Sequence, residues 1–258
     1  MLSSFPQISA RWIPVWWRNV LVWKKLAGPS FVGNFGEPLF FLLALGYGLG
    51  SLIGDMNGLP YLIFLASGIV CSSAMNTATF EGMYAAYTRM AVQETWGGMI
   101  SAPMNLDDVV LGEIIWIGTK SLISVAAILL VASFMGIIET WTTLWVLPMA
   151  FFIGCCFGAM ALVVTALSPS YDFFLYYFTL LITPMFLLSG VFFLPDNLHP
   201  VIQLIAQLLP LSHAVDIVRP LMTELPLNNL MLHLSVLVFY GVGAYWLAVV
   251  LLKKRLLV

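Results

Sequence analysis

Apolar residues in this chain come in runs too long for strands and too continuous for the buried stripe of a soluble helix. Six runs reach the roughly 20 residues that carry an α-helix across a bilayer. They lie at about Phe31 to Ile53, Tyr61 to Phe80, Val109 to Met135, Thr143 to Leu167, Phe173 to Leu194 and Asn229 to Leu252. Gly and Pro inside such runs are tolerated, because neighbouring helices satisfy the freed backbone groups. The Gly46-Tyr47-Gly48-Leu49-Gly50 stretch near the end of the first run predicts a bend or a close approach of backbones. The pattern predicts an all-α integral membrane protein with six transmembrane helices.

Three segments break the pattern. From Ile13 to Leu26 the chain carries Trp16, Trp17 and Trp23 just after Trp12, while Arg11, Arg18 and Lys25 recur every seven residues. That spacing puts the cations on one helical face and predicts an amphipathic helix lying in the interface, with cations toward anionic lipid. Pro14 fits only in its first turn. A simple membrane anchor is the plainer reading of the same residues. The second segment, Arg89 to Asp108, is too polar to span and too apolar for a solvated linker. Its Trp96, Met99, Ile100 and Pro103 make an apolar patch that needs covering, either by a partner on that side or by the protein's own helix ends. In the third, Pro195, Pro200, Pro210 and Pro220 bracket two apolar pieces too short to cross. Two re-entrant half-helices, Val201 to Leu209 and Leu211 to Val218, account for them.

Composition agrees: 61% of the 258 residues are hydrophobic and 9% charged, against roughly 25% charged in a soluble domain. Charge placement adds sidedness. Arg11, Arg18, Lys24, Lys25, Arg89, Lys253, Lys254 and Arg255 fall on one side of a six-span topology, and Arg219 alone on the other. Both termini are therefore expected in the cytoplasm. The first twelve residues hold no basic stretch leading into an apolar core and a cleavage site, so the first span is expected to direct insertion. Lys120 falls inside the third span, where a lone cation costs about 2.5–3.5 kcal/mol on insertion scales. Glu113 lies two turns earlier on the same face, and Glu37 opens the first span. A buried ion pair that fixes packing, or a substrate or proton path, accounts for these charges.

Catalytic motifs are missing. Gly112 through Gly118-Thr119-Lys120-Ser121 superficially resembles a phosphate-binding loop, but a residue separates Gly118 from Lys120 and the stretch is buried in a span. Cys71, Cys155 and Cys156 sit in apolar runs, and His199, His213 and His233 are scattered. Neither a disulfide nor a metal site is expected, and no enzymatic chemistry or nucleic-acid partner is expected of this chain.

Four stretches carry a family resemblance. Glu37-Pro38-Leu39 leads into Leu43-Ala44-Leu45-Gly46-Tyr47-Gly48-Leu49-Gly50. Phe80-Glu81-Gly82 runs through Tyr87-Thr88-Arg89-Met90 to Thr95-Trp96, and Ala102-Pro103 is followed by Leu111-Gly112-Glu113-Ile114-Ile115-Trp116. Leu188-Ser189-Gly190-Val191-Phe192-Phe193-Leu194-Pro195 precedes Leu209-Pro210-Leu211-Ser212-His213. In this order they resemble the membrane subunits of type-2 ABC exporters, and among these the NodJ-type nodulation permeases. The resemblance implies one domain over residues 1–258 that pairs with a second copy of itself. It also implies two separate ABC ATPase subunits, which bind the ATP and Mg that this chain does not. Glu94, Thr95, Trp96, Met99 and Pro103 would form the coupling helix between spans two and three, seated on the ATPase. The interfacial helix would touch the ATPase too, and the hairpin marked by Pro195, Pro210 and His213 would cap the outer end of the path. The implied setting is a bacterial inner membrane, and the implied cargo a lipooligosaccharide, polysaccharide or related amphiphile. Tyr171, Phe173, Phe174, Tyr176, Tyr177 and Phe178 are candidates for its path, though Tyr and Trp also collect at membrane interfaces. The competing reading is an ion-coupled carrier working through Lys120, Glu113 and Glu37.

Overall fold

A helix rises about 1.5 Å per residue, so crossing about 30 Å of hydrocarbon takes some 20 apolar residues. The computed structural model describes residues 6, 9–25, 27–28, 40–46, 48, 50–56, 58–102, 104–138, 140–194, 199–223 and 225–257. Among them four helices are long and apolar enough to cross: α2 (Tyr61–Val92), α4 (Leu106–Phe134), α5 (Trp141–Leu167) and α9 (Leu230–Leu256). Around them stand α1 (Trp12–Lys25), the short α3 (Thr95–Ser101), α6 (Phe173–Leu188), and the pair α7 (Pro200–Leu208) and α8 (Pro210–Met222), which meet at an 82° bend. A small antiparallel ribbon, β1 (Asp55–Met56) with β2 (Leu59–Pro60), precedes α2.

Several boundaries differ from the hydropathy reading. The first part of the expected first span, including Glu37, lies outside the described residues; residues 40–46 and Gly50–Ile53 are helical. The second span does not stop at Phe80. It continues to Val92 as a 32-residue helix, about 48 Å long at helical rise, so it outreaches the hydrocarbon. Hydropathy drops after Phe80 because Glu81, Thr88 and Arg89 follow, yet these groups find partners on neighbouring elements and the helix persists. It persists in a wider form, π-helical at Glu81–Ala85 and Thr88–Val92, a local distortion common at functional positions. The fifth expected span ends at Leu188, not Leu194. Gly190 takes a left-handed φ of 75° and turns the chain, and its carbonyl is claimed by Arg219 at 2.6 Å.

The helix α2 is the centre of the bundle: 83% of its most apolar stretch is buried, against 17% for α9. Close approach replaces hydrophobic segregation as the organising force within lipid. A Cβ on Gly154 of α5 would come within 2.9 Å of the Gly118 Cα of α4. Hydroxyls stitch α2 to α4, Ser121 donating to the Ala74 carbonyl at 3.1 Å and Thr77 to Ser124 at 3.2 Å. The glycines of the false phosphate loop thus have a packing role. Gly112 admits α1, since a Cβ there would lie 2.7 Å from the Val15 Cβ.

Polar bonds hold the chain ends to this frame. Ser9 donates from its amide and hydroxyl to Asp108, at 2.8 and 2.7 Å, and the Trp16 indole donates to Thr119 at 3.1 Å. From α9, Lys253 pairs with Asp107 at 2.7 Å. Arg255 donates to the carbonyls of Thr165, Ala166 and Ser168, where a cation also complements the C-terminal dipole of α5.

Candidate functional site

Four charged side chains meet where α2 and α4 run together. Arg89 grips Glu113 in a two-pronged bond, Nε to Oε1 at 3.0 Å and Nη2 to Oε2 at 2.6 Å. Its Nη1 reaches Glu81 Oε1 at 2.9 Å, and Lys120 Nζ reaches Glu81 Oε2 at 2.6 Å. Glu113 is fully buried and Glu81 nearly so. Unpaired, either buried carboxylate would be expensive; together the two anions balance two cations, and the planar guanidinium suits the paired geometry.

Two indoles complete the cluster. Trp116 Nε1 donates to Glu81 Oε1 at 2.9 Å, and Trp96 Nε1 donates to Glu113 Oε1 at 3.2 Å. Trp116 belongs to α4, but Trp96 comes from α3. One residue of that short helix therefore enters the membrane bundle and closes the charge cluster.

Glu113 and Lys120 do share this cluster, but they are joined through Arg89 and Glu81 rather than to each other. Sequence reasoning missed Glu81 and Arg89 as members because it ended the span at Phe80. A signal was available: no Pro falls between Tyr61 and Gln93 to stop the helix.

The α3 residues divide between two environments. Glu94 turns the chain with a left-handed φ of 50° and is exposed, as are Gly97, Gly98 and Ser101. Thr95, Met99 and Ile100 are half-buried, and Trp96 has no exposed surface. The protein's own helices thus cover the Trp96 part of the expected apolar patch, and Trp96 is a buried link, not a surface contact. What α3 offers outward is smooth, since a Cβ at Gly97 or Gly98 would meet nothing within 4 Å. Pro103 lies outside the described residues.

On α1 the three spaced cations have different surroundings. Arg11 and Lys25 are exposed, whereas Arg18 is half-buried near the cluster. Burial lowers the Arg18 pKa from its ordinary value; the Glu113 charge opposes this and the Arg89 charge adds to it.

At the opposite end of the bundle, Pro195 lies outside the described residues, and Pro210 is buried in the first turn of α8. His213 Nε2 lies 2.9 Å from the Gln207 carbonyl and Nδ1 lies 2.8 Å from His233 Nδ1. A carbonyl only accepts, so the neutral His213 carries its proton on Nε2 and His233 donates from Nδ1. Arg219, which the sequence reading counted only as a basic residue of an outer loop, is buried. It donates to Ser67 Oγ at 3.0 Å and to the Gly190 carbonyl, with its guanidinium 3.7 Å from the Phe64 ring centroid. It pins α8 to α2 and to the turn after α6. Among the described residues no group of three or more His, Cys, Asp or Glu side chains could hold a metal.

The aromatics at and just before the start of α6 are also divided. Tyr171 stacks on Tyr84 at 6.1 Å and bonds Thr88 at 2.7 Å, and Phe174 packs edge-on against Tyr84 and Tyr87. Tyr176 is exposed.

Known proteins share this chain's pattern over most of its length. The sequence profile of the ABC-2 type transporter family matches residues 12–223. Nodulation protein J of Rhizobium leguminosarum bv. trifolii is 43% identical over 256 residues, covering 99% of this chain and 98% of that protein. Nodulation protein J of Sinorhizobium fredii is 42% identical over 246 residues, covering 95% and 94%. The protein of the same name in Azorhizobium caulinodans is 32% identical over 213 residues, covering 83% and 84%.

Proposed function

The chain belongs to the ABC-2 type transporter family, and from that premise we propose that it is one half of the membrane domain of an ATP-driven exporter of lipooligosaccharide. It is a multi-pass membrane permease component, and its family works with an ABC ATPase. The finer assignment is ours. Two copies pair, and two separate ATPase subunits bind ATP and Mg and seat against α3. The apolar run before Ile53 is the first of six spans, and α6 is the fifth. The bent pair α7–α8 is a re-entrant cap on the outer side. The basic residues then put α1, α3 and both termini on the cytoplasmic side.

The observation that carries this reading is the bond from Trp96 to Glu113. An ATPase works in water and the cargo path lies in lipid, so motion has to cross between them through a stiff contact. The outward face of α3 is smooth and open, while its inward face inserts an indole into a buried ion cluster between α2 and α4. Movement of α3 is therefore felt by both helices together. The ion-coupled alternative is less well supported. An ion carrier needs a carboxylate free to take up and release its ion, whereas Glu81 and Glu113 are each held by a cation and an indole. A lipooligosaccharide is favoured by the nodulation relatives and by the aromatic surface of Tyr84, Tyr171 and Tyr176, which suits sugar faces and acyl chains.

Extraction of the intact protein from its native membrane in mild detergent tests the assembly. A soluble protein with a nucleotide-binding loop should co-purify in equal number with this chain. Recovery of the chain as a stable assembly without such a protein contradicts the reading.

A further inference from the structure

A cavity of about 570 Å³ opens between α1, α2 and α4, lined by Arg18, Asn19, Trp23, Arg89, Trp116 and Lys120, among others. Glu81 also borders it, but both of its oxygens are engaged by Arg89, Lys120 and Trp116. The cations Arg18, Arg89 and Lys120 thus face Glu81 and the nearby Glu113, an excess of positive charge.

Donors are also left over. Asn19 is only 3% exposed, its Oδ1 accepts from Arg18 at 3.2 Å, and its Nδ2 has no hydrogen-bond partner. A buried amide donor without an acceptor costs on the order of 1–3 kcal/mol. The Arg18 guanidinium has Asn19 as its one hydrogen-bond acceptor among the described residues. Arg18 and Asn19 are thus adjacent donors, one charged and one neutral, in a cavity also lined by the Trp23 and Trp116 indoles, which meet edge to face at 6.2 Å.

The outer surface of α1 indicates the source of the missing acceptor. Ile13, Trp17, Leu21 and Val22 are 45–49% exposed, an apolar face suited to acyl chains, and Val22 also lines the cavity. Its opening is therefore within reach of lipid. We propose that this cavity binds the phosphate group of an anionic phospholipid of the inner leaflet, held by Arg18, Asn19 Nδ2 and Lys120 beside the Trp23–Trp116 pair. The inference goes beyond transport itself; it needs α1 at the membrane surface, and its test does not depend on an ATPase or a cargo.

Native mass spectrometry of the full-length protein in detergent, loaded with phosphatidylglycerol or phosphatidylcholine of identical chains, reads the site directly. Phosphatidylglycerol should remain bound under activation that strips phosphatidylcholine. Arg18→Gln and Asn19→Leu should each lower its retention roughly tenfold, the loss of one charged or buried hydrogen bond. Lys24→Gln removes the same charge from an exposed position of the same helix and should leave retention unchanged. Arg18 is half-exposed, so Arg18→Gln decides the matter even if Asn19→Leu folds poorly. Equal retention of both lipids, or equal loss with Lys24→Gln, overturns the proposal. Displacement of the lipid by inorganic phosphate at matching concentration also overturns it, and assigns the cavity to a soluble anion.

Discussion

Trp96 reaches from α3 into the bundle and donates its indole N–H to Glu113 at 3.2 Å. Glu113 in turn holds Arg89 of α2 through two bonds. A short helix that is not itself a span is thereby tied to two membrane helices through one carboxylate.

Trp96→Phe keeps most of the ring packing and removes the N–H. A hydrogen bond to a charged group is worth about 1.5–3 kcal/mol. The variant should still bind the ATPase but transport on the order of tenfold less cargo per ATP hydrolysed. The ratio of transport to hydrolysis in proteoliposomes checks this; an unchanged ratio removes Trp96 from the coupling path.

The ion cluster predicts strong non-additivity. Glu113→Gln leaves Arg89 and Lys120 facing Glu81 alone, and stranding a buried charge costs about 3–5 kcal/mol. Adding Arg89→Met to that variant removes the stranded cation and leaves the balanced pair Glu81–Lys120. The double variant should therefore be more heat-stable in detergent than Glu113→Gln by itself. Additive losses across the cycle would mean that the four charges act independently.

Arg219 holds α8 against Ser67, Gly190 and the Phe64 ring. Lysine keeps the charge but not the planar fork. In a C155A/C156A background, Arg219→Lys should loosen the seam over the buried Cys71. A maleimide added to the detergent-solubilised protein should then label Cys71 roughly tenfold faster, as expected for the loss of a charged hydrogen bond. Unaltered labelling would show that α7 and α8 are held by apolar packing alone.

Gly112 gives α1 its seat on α4. A valine there would press on Val15 and on the Trp12 carbonyl, where a Cβ already comes within 2.8 Å. Overpacking of this kind costs about 1–3 kcal/mol. Gly112→Val should free α1, seen as faster tryptic cleavage at Lys24 and Lys25. Equal cleavage would mean that α1 is held mainly by Ser9 and Trp16.

Much of this was legible from the sequence because hydropathy is a local property. The apolar runs marked α4, α5 and α9 to within a few residues, and Pro200 and Pro210 marked the starts of α7 and α8; Pro220, expected to be a break, lies inside α8, which runs on to Met222. The end of α2 was not legible, because Glu81 and Arg89 look like loop residues until their partners on α4 are known. For the same reason Arg219 read only as a loop cation, since nothing near it in the chain announces Ser67, Phe64 or Gly190. The fate of Trp96 depended likewise on Glu113, which is distant in sequence. Runs and breaks are written locally, whereas charge satisfaction is decided by neighbours that only the fold brings together.

The central claim is that ATP hydrolysis on a separate subunit, communicated through α3, drives this permease. Its most direct test is reconstitution of the chain into proteoliposomes with its ATPase and a labelled lipooligosaccharide, with every ion gradient collapsed. The account predicts translocation that requires ATP, Mg and the ATPase together and that stops when any one is withheld. Translocation by this chain without the ATPase, driven by a proton or sodium gradient, would contradict it.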